Sequence, residues 1–279
     1  MRLATKELHD LARSIREWTL RSLAAAGSGH TGGSLGLADI FTYLYFSEMK
    51  HNPSDPHWPE RDILILSIGH VAPVLYATLA HAGYFPKEEL LTLRKLSSRL
   101  QGHPGRDHGL PGIELSAGSL GQGLGVAVGI ALGRQMDQHP GRVFCVVGDG
   151  ELQEGSMWEA AMAAAHYHLS NLVVIVDRNG VQIDGHTEDV MGLEPLDKKW
   201  DSFGWKVLSC DGHDFNELRQ TFQIARNEPS RPMVILARTV MGKGVKEIEG
   251  DYRWHGKAPD SAQVQRFLEQ ISAYYASMD

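Results

Sequence analysis

The chain has 279 residues, of which 42% are hydrophobic, with 30 glycines and a formal net charge of −7. That is enough apolar material for a sizeable α/β core, while an acidic balance without any basic cluster excludes nucleic acid and anionic membrane surfaces as partners. Two cysteines, Cys145 and Cys210, give neither a disulfide framework nor a zinc pattern, and the absence of a signal segment or of any apolar run near the length of a spanning helix predicts a cytoplasmic protein.

In chain order, the spacing of Leu8, Leu11, Ile15, Trp18 and Leu23 predicts an amphipathic helix over 6–26, ended by Gly27. A helix over 37–49, a strand over 62–67 and a helix over 73–82 follow, and Pro86 opens a further short helix. The stretch 121–136 is rich in Ala, Gly and Val, so its helix suits a subunit contact or tight packing on a sheet. Val143 to Val147 and Leu172 to Val176 are continuous apolar runs, which predict buried parallel strands. Strands near 206–209 and 233–238, a helix over 215–226 and a polar terminal helix over 260–275 complete the pattern. Alternation of strands and helices predicts a doubly wound parallel sheet with helices on both faces. No linker or internal repeat divides the chain, so one domain over 1–279 is expected, with 260–279 a helical extension.

Two polar clusters carry the chemistry. The first central strand runs into Gly148-Asp149-Gly150-Glu151-Leu152-Gln153-Glu154-Gly155, and the second into Asp177-Arg178-Asn179-Gly180-Val181-Gln182-Ile183-Asp184-Gly185. Carboxyl ends of parallel strands border the crevice of an open α/β sheet, so the clusters can meet. A carboxylate, an amide oxygen and a loop carbonyl suit a hard cation such as magnesium or calcium, with phosphate oxygens and water completing its shell. Either cluster alone would be an ordinary turn. Together, at a spacing of one helix and one strand, they favour a diphosphate held through a metal ion, with Gly148 and Gly150 letting the backbone pass close to the phosphates.

These two clusters resemble the amino-terminal half of the transketolases, and four further segments and a terminal one agree in register: 28–36 around His30, 67–76 around His70, Gly102-His103-Pro104, the glycine turn 116–123, and 254–259 around His255. The resemblance covers nearly everything from Leu8 to about Gln263, and the cofactor it implies is thiamine diphosphate with Mg2+, for which Ca2+ or Mn2+ could substitute. Carried over residue by residue, Asp149 and Asn179 are the metal-binding side chains and Val181 offers its main-chain carbonyl. Gly150 contacts the diphosphate, and Gly118 and Leu120 line the aminopyrimidine pocket. His70 and His255 help hold the diphosphate, while His30, His103 and His255 face the sugar hydroxyls. Neutral imidazole can donate to one oxygen and accept from another and can move a proton near neutral pH, which suits the transfer of a two-carbon ketol unit. Glu154, which near a helix start would otherwise only complement the helix dipole, is implied to meet an acidic residue across a subunit interface. The remaining ten of the 14 histidines have no partner pattern in the sequence.

The resemblance also implies what lies elsewhere. In transketolase-like enzymes the carboxylate that activates the aminopyrimidine, and the arginines that bind the sugar phosphate, belong to a second α/β domain. This chain therefore resembles the diphosphate-binding subunit of a split enzyme, active with a separate carboxyl-terminal subunit that carries the pyrimidine-binding domain, in an α2β2 heterotetramer. Thr31, Gly33 and Ser34 stand where the family more usually has Pro, Ala and Pro, and Gly105 stands for a common glutamate. These departures flank the substrate-facing loops and bear on which ketose and aldose phosphates are used. Two alternatives share part of the pattern: the α subunit of a 2-oxo acid dehydrogenase, against which the histidine segments argue, and a non-catalytic, transketolase-like regulatory protein, against which the intact Asp149, Asn179 and Val181 argue.

Overall fold

A computed structural model describes residues 3–278. A five-stranded, wholly parallel sheet forms its centre, built from β1 (Ile63–Leu66), β2 (Val143–Gly148), β3 (Leu172–Arg178), β6 (Lys206–Asp211) and β7 (Met233–Arg238) in the spatial order β1-β2-β3-β7-β6. Two short antiparallel strands, β4 (Val181–Gln182) and β5 (Gly185–His186), make a separate hairpin beyond β3. The α-helices are α1 (Thr5–Ala26), α2 (Thr31–Gly36), α3 (Ala38–Tyr43), α4 (Ala72–His81), α5 (Gly123–Met136), α6 (Gly155–His166), α7 (Thr187–Val190), α8 (Leu196–Ser202), α9 (Phe215–Arg226) and α10 (Ser261–Ala276).

Strand periodicity divides the core in two. Leu64, Leu66, Phe144, Val146, Val173, Ile175, Met233 and Ile235 point to one face and pack with α1, α3, α4, α9 and α10. Ile63, Ile65, Val143, Cys145, Val147, Leu172, Val174 and Val176 point to the other and pack with α5, α6 and α8. Burial on both faces explains why these strands are continuous apolar runs. The chain adds β1, β2 and β3 in sequence, steps over one position to the edge strand β6, then returns to β7 beside β3. With right-handed crossovers, that reversal sends α9 to the opposite face from α5 and α6. It also opens a crevice at the carboxyl ends of the central strands.

Several boundaries differ from those the sequence suggests. The segment after His30 is helical from Thr31, and the helix expected over 37–49 is α3 followed by a π-helical turn, Leu44–Glu48, closed by a bond from Met49 N to Leu44 O at 2.8 Å. The terminal helix is polar on one side only: Phe267, Ile271 and Tyr275 are buried. A buried ion pair anchors this end of the molecule, with Arg16 Nη2 donating to Asp39 Oδ2 at 2.6 Å and Tyr275 bonded to the same guanidinium. His213, without an evident partner in the sequence, accepts from Val240 N through Nε2 at 2.9 Å, which leaves Nδ1 to donate to Asp39 at 2.7 Å. α1, α3, the turn after β6 and the exit of β7 are thereby tied together beneath the crevice.

Candidate functional site

The eleven residues singled out in the sequence all line one cleft of about 370 Å³ at the carboxyl end of the sheet: His30, His70, His103, Gly118, Leu120, Asp149, Gly150, Glu154, Asn179, Val181 and His255. Strand pairing sets its floor. β2 and β3 are in register through Gly148 and Asp177, so Asp149 and Asn179 emerge side by side.

Asp149 joins the two turns directly. Its Oδ2 accepts from Gly180 N at 2.7 Å and from Arg178 Nη1 at 2.9 Å, and its Oδ1 accepts from Gly150 N at 2.8 Å. Burial nonetheless outweighs these donors and raises its carboxyl above the ordinary range. Asn179 is oriented from below: its Nδ2 donates to Asp177 Oδ2 at 2.9 Å and its Oδ1 accepts from Val181 N at 2.9 Å. Asp177 is buried, bonded also to Thr239, and pushed up to about 7 by that burial together with the nearby Asp149 carboxylate.

The donor set fits a hard cation bound to a diphosphate. Asp149, Asn179 and the Val181 carbonyl are oxygen donors, and a buried carboxylate gains most from a neighbouring positive charge. Among the described residues no cluster of three or more His, Cys, Asp or Glu forms a self-contained metal cage, so phosphate oxygens and water would have to supply the remaining ligands.

Above this floor the four histidines converge from four distant segments. His30 lies with its ring centroid 5.0 Å from that of His70, 6.1 Å from His103 and 5.6 Å from His255, and His70 lies 4.9 Å from His255. His30 is the residue before α2, held there by Ser34 Oγ donating to its carbonyl at 2.7 Å. Thr31 ties it to the His255 segment through bonds from its hydroxyl (2.6 Å) and its N–H (3.3 Å) to Lys257 O. One departure from the family's usual proline thus supplies a bond that proline could not make. Burial, followed by the proximity of His255, His103 and Arg94, pushes His30 down to about 4. His70, His103 and His255 are lowered too, in each case chiefly by burial. The cluster is therefore neutral at physiological pH. Nδ1 of both His30 and His255 is buried without a partner among the described residues, which is how a group reserved for a ligand presents itself.

Glu151 carries no signal of its own in the sequence beyond its position beside Asp149, although it lies in the same motif as Glu154. Its buried carboxylate accepts from Ser67 Oγ at 2.6 Å, Gly121 N at 2.9 Å and Gly148 N at 3.3 Å, and Ser67 Oγ in turn accepts from Gly123 N at 3.1 Å. It therefore binds the end of β1, the glycine turn and the end of β2 into one wall.

A doubly wound sheet whose central strands end in a floor of oxygen donors, beneath a roof of neutral imidazoles, is the architecture of an α/β domain with a ligand cleft at the carboxyl ends of its strands. Residues 8–274 match the family described as transketolase, thiamine diphosphate binding domain. The chain is 44% identical over 249 residues to the 6-deoxy-6-sulfo-D-fructose transketolase subunit SqwG of Clostridium sp. (strain MSTE9), covering 89% of this chain and 90% of that protein. It is 42% identical over 271 residues to an apulose-4-phosphate transketolase subunit of Actinobacillus succinogenes, covering 96% of this chain and 97% of that one. The crystal structure of transketolase from Campylobacter jejuni superimposes with a TM-score of 0.87 at 31% identity, covering 99% of this chain and 48% of the other, so the chain spans about half of that enzyme. The chain belongs to the transketolase family, as its thiamine diphosphate-binding part, and the dehydrogenase alternative gives way to that assignment.

Proposed function

We propose that this chain is the diphosphate-binding subunit of a split transketolase that moves a two-carbon ketol unit from a ketose phosphate, or a ketose with another anionic end, to an aldose acceptor. The observation that carries the proposal is the meeting of the Asp149 and Asn179 turns beneath four clustered imidazoles. Asp149, Asn179 and the Val181 carbonyl hold Mg2+, and Gly150 lies against the diphosphate. His70 and His255 complete that grip, and Gly118 and Leu120 receive the aminopyrimidine. When bound, thiamine diphosphate supplies the electron sink that the two-carbon unit needs. His30, His103 and His255, kept neutral by burial, orient the sugar hydroxyls and relay protons between them. That the Clostridium and Actinobacillus relatives are named for a sulfonated ketose and a ketose phosphate supports a substrate with an anionic terminus.

The activating carboxylate and the arginines for that terminus come from a separate carboxyl-terminal subunit, in an α2β2 assembly in which Glu154 faces the subunit boundary. Both named relatives are themselves subunits, matched over nearly their full length. The surface supports docking at the cleft mouth and along α5 and α6. Leu120, Val126, Met136, Met162, Ile183 and Met191 are exposed, and Cβ atoms built on Gly125, Gly129 and Gly133 of α5 would meet nothing within 4 Å. The small-residue face of α5 is thus open for a partner rather than packed on the sheet. We take residues 1–279 as one domain, with 260–279 its helical extension, of which α10 packs against α1. Free, buried Cys145 and Cys210 support a reducing cytoplasm, and among the described residues no helix is long and apolar enough to cross a membrane.

The test is to purify the chain with its partner and measure ketol transfer from several ketose phosphates with Mg2+ and thiamine diphosphate. The complex should turn over and the chain alone should not; full activity of the chain alone contradicts the two-subunit assignment.

A further inference from the structure

Arg178 ends β3 between Asp177 and Asn179, so it places a cationic side chain against the residues that would bind a cation. Both terminal nitrogens of its guanidinium are engaged. Nη1 donates to Asp149 Oδ2 at 2.9 Å and to Thr187 Oγ1 at 3.0 Å, while Nη2 donates to Glu194 Oε1 at 2.7 Å and Glu188 Oε1 at 3.3 Å. Since Gly180 N also donates to Asp149 Oδ2, both lone-pair directions of that oxygen are taken, and Oδ1, with Gly150 N its single donor among the described residues, keeps one free. The protein thereby selects which carboxylate oxygen remains for a metal ion.

The far side of the guanidinium is equally fixed. Glu188 accepts from Leu193 N at 3.0 Å and Glu194 N at 3.4 Å, and Glu194 accepts from Leu196 N at 2.8 Å. Thr187 N donates to Gly180 O at 3.0 Å, and Gln153 Nε2 reaches Met191 O at 2.8 Å. Arg178 therefore joins a strand end on the cleft floor to the whole stretch 187–196. Three carboxylates surround one guanidinium, so the cluster stays net negative and does not repel a cation.

We propose that Arg178 is a positioning residue for the metal ion: it fixes the Asp149 carboxylate with Oδ1 presented to the cation, and it couples cation binding to the order of residues 187–196. The proposal rests on the cation site assigned above to Asp149 and Asn179. Coupling of this kind is reciprocal, so the cation orders the segment as much as the ordered segment favours the cation.

The test uses the assembled subunits with thiamine diphosphate and Mn2+ as a paramagnetic probe, titrated by electron paramagnetic resonance, with hydrogen exchange read over 187–196. Arg178→Gln should weaken Mn2+ binding about 10- to 100-fold, the range for residues that orient metal ligands. Arg178→Lys should restore only part, because an ammonium cannot reproduce the planar fork shared by Asp149 and Glu194. Glu194→Gln, a change on the exposed side of the cluster, should weaken binding by a smaller factor, and it carries the test by the same two measurements if Arg178→Gln fails to fold. Exchange over 187–196 should rise in Arg178→Gln and, in the wild type, on removal of the metal. Unchanged or tighter Mn2+ binding in Arg178→Gln overturns the positioning role, and if Asp149→Asn alone then abolishes binding, the cation site itself stands. A wild-type assembly that binds no Mn2+ removes both.

Discussion

Gly180 donates its backbone N–H to Asp149 Oδ2 at 2.7 Å, bridging two turns that lie 31 residues apart in the chain. A single carboxylate thus closes the floor of the cleft and, in the proposed function, binds its cation. Its two roles can be separated because they respond differently to a neutral isostere.

Asp149→Asn keeps the shape of the side chain and removes the charge. Losing charge-assisted bonds from Gly180 and Arg178 should cost about 2 kcal/mol of stability. Burial, which disfavours the ionised carboxyl and outweighs those donors, should offset that loss. The variant should therefore fold, with little change in melting temperature, while metal-dependent binding of thiamine diphosphate by the assembled enzyme disappears in calorimetric titration. Normal metal-dependent activity in this variant would show that the cation is held elsewhere.

Gly121 tests the wall that carries Glu154. Its φ is +81°, in the left-handed region, and a Cβ there would lie 2.6 Å from Ser156 Oγ and 2.8 Å from Glu154 Cβ. Gly121→Ala must strain the turn or push Glu154 aside, at a cost of about 1–3 kcal/mol. If Glu154 faces the partner, the affinity between subunits should fall along with the melting temperature, as measured by sedimentation at several concentrations. A loss of stability with unaltered assembly would remove Glu154 from the interface.

The strands were the most legible part of the sequence, because burial on both faces leaves nothing but apolar side chains in them, and β7 and α9 begin and end where their patterns do. The two-piece floor was legible for the same reason, since each polar cluster directly follows such a run. The helix at Thr31–Gly36 was hidden by its glycines, which cost about 1 kcal/mol each in a helix and so read as a loop. Tertiary contact reverses that preference: a Cβ on Gly32 would meet Met241 Cγ at 2.4 Å, and one on Gly36 would meet Val240 O at 3.0 Å. The hairpin of β4 and β5 and the helices α7 and α8 were likewise missed, being too short to show a period. Glu151 and His213 act through partners far away in sequence, and no local pattern announces a long-range hydrogen bond.

His30→Ala should separate binding from turnover. In the proposed mechanism this imidazole serves the sugar and not the diphosphate, so cofactor affinity should be preserved while kcat/KM falls by about 10²- to 10⁴-fold, the usual contribution of a positioned proton-transfer group. Steady-state kinetics and a cofactor titration on the same preparation decide it. A parallel loss of cofactor affinity would move His30 into the diphosphate grip beside His70.

The histidine cluster also fixes the direction of the pH response. His30 falls from an ordinary 6.5 to about 4 in the folded chain, mainly by burial, and His70, His103 and His255 shift the same way. Between about pH 6.5 and 4 the unfolded chain takes up protons that the folded cleft refuses, so stability is fully present above this window and declines as the pH drops through it. Carboxylates elsewhere add their own acid dependence, which is why the comparison must be with a variant. His30→Asn removes one of the refusing groups and lessens the repulsion on His70. Its melting temperature should therefore fall less steeply than that of the wild type as the pH is lowered from 6.5 to 4, and the two should run parallel from pH 7 to 8. Identical slopes through the acid window would mean that the imidazoles are solvated and free to protonate in the folded protein.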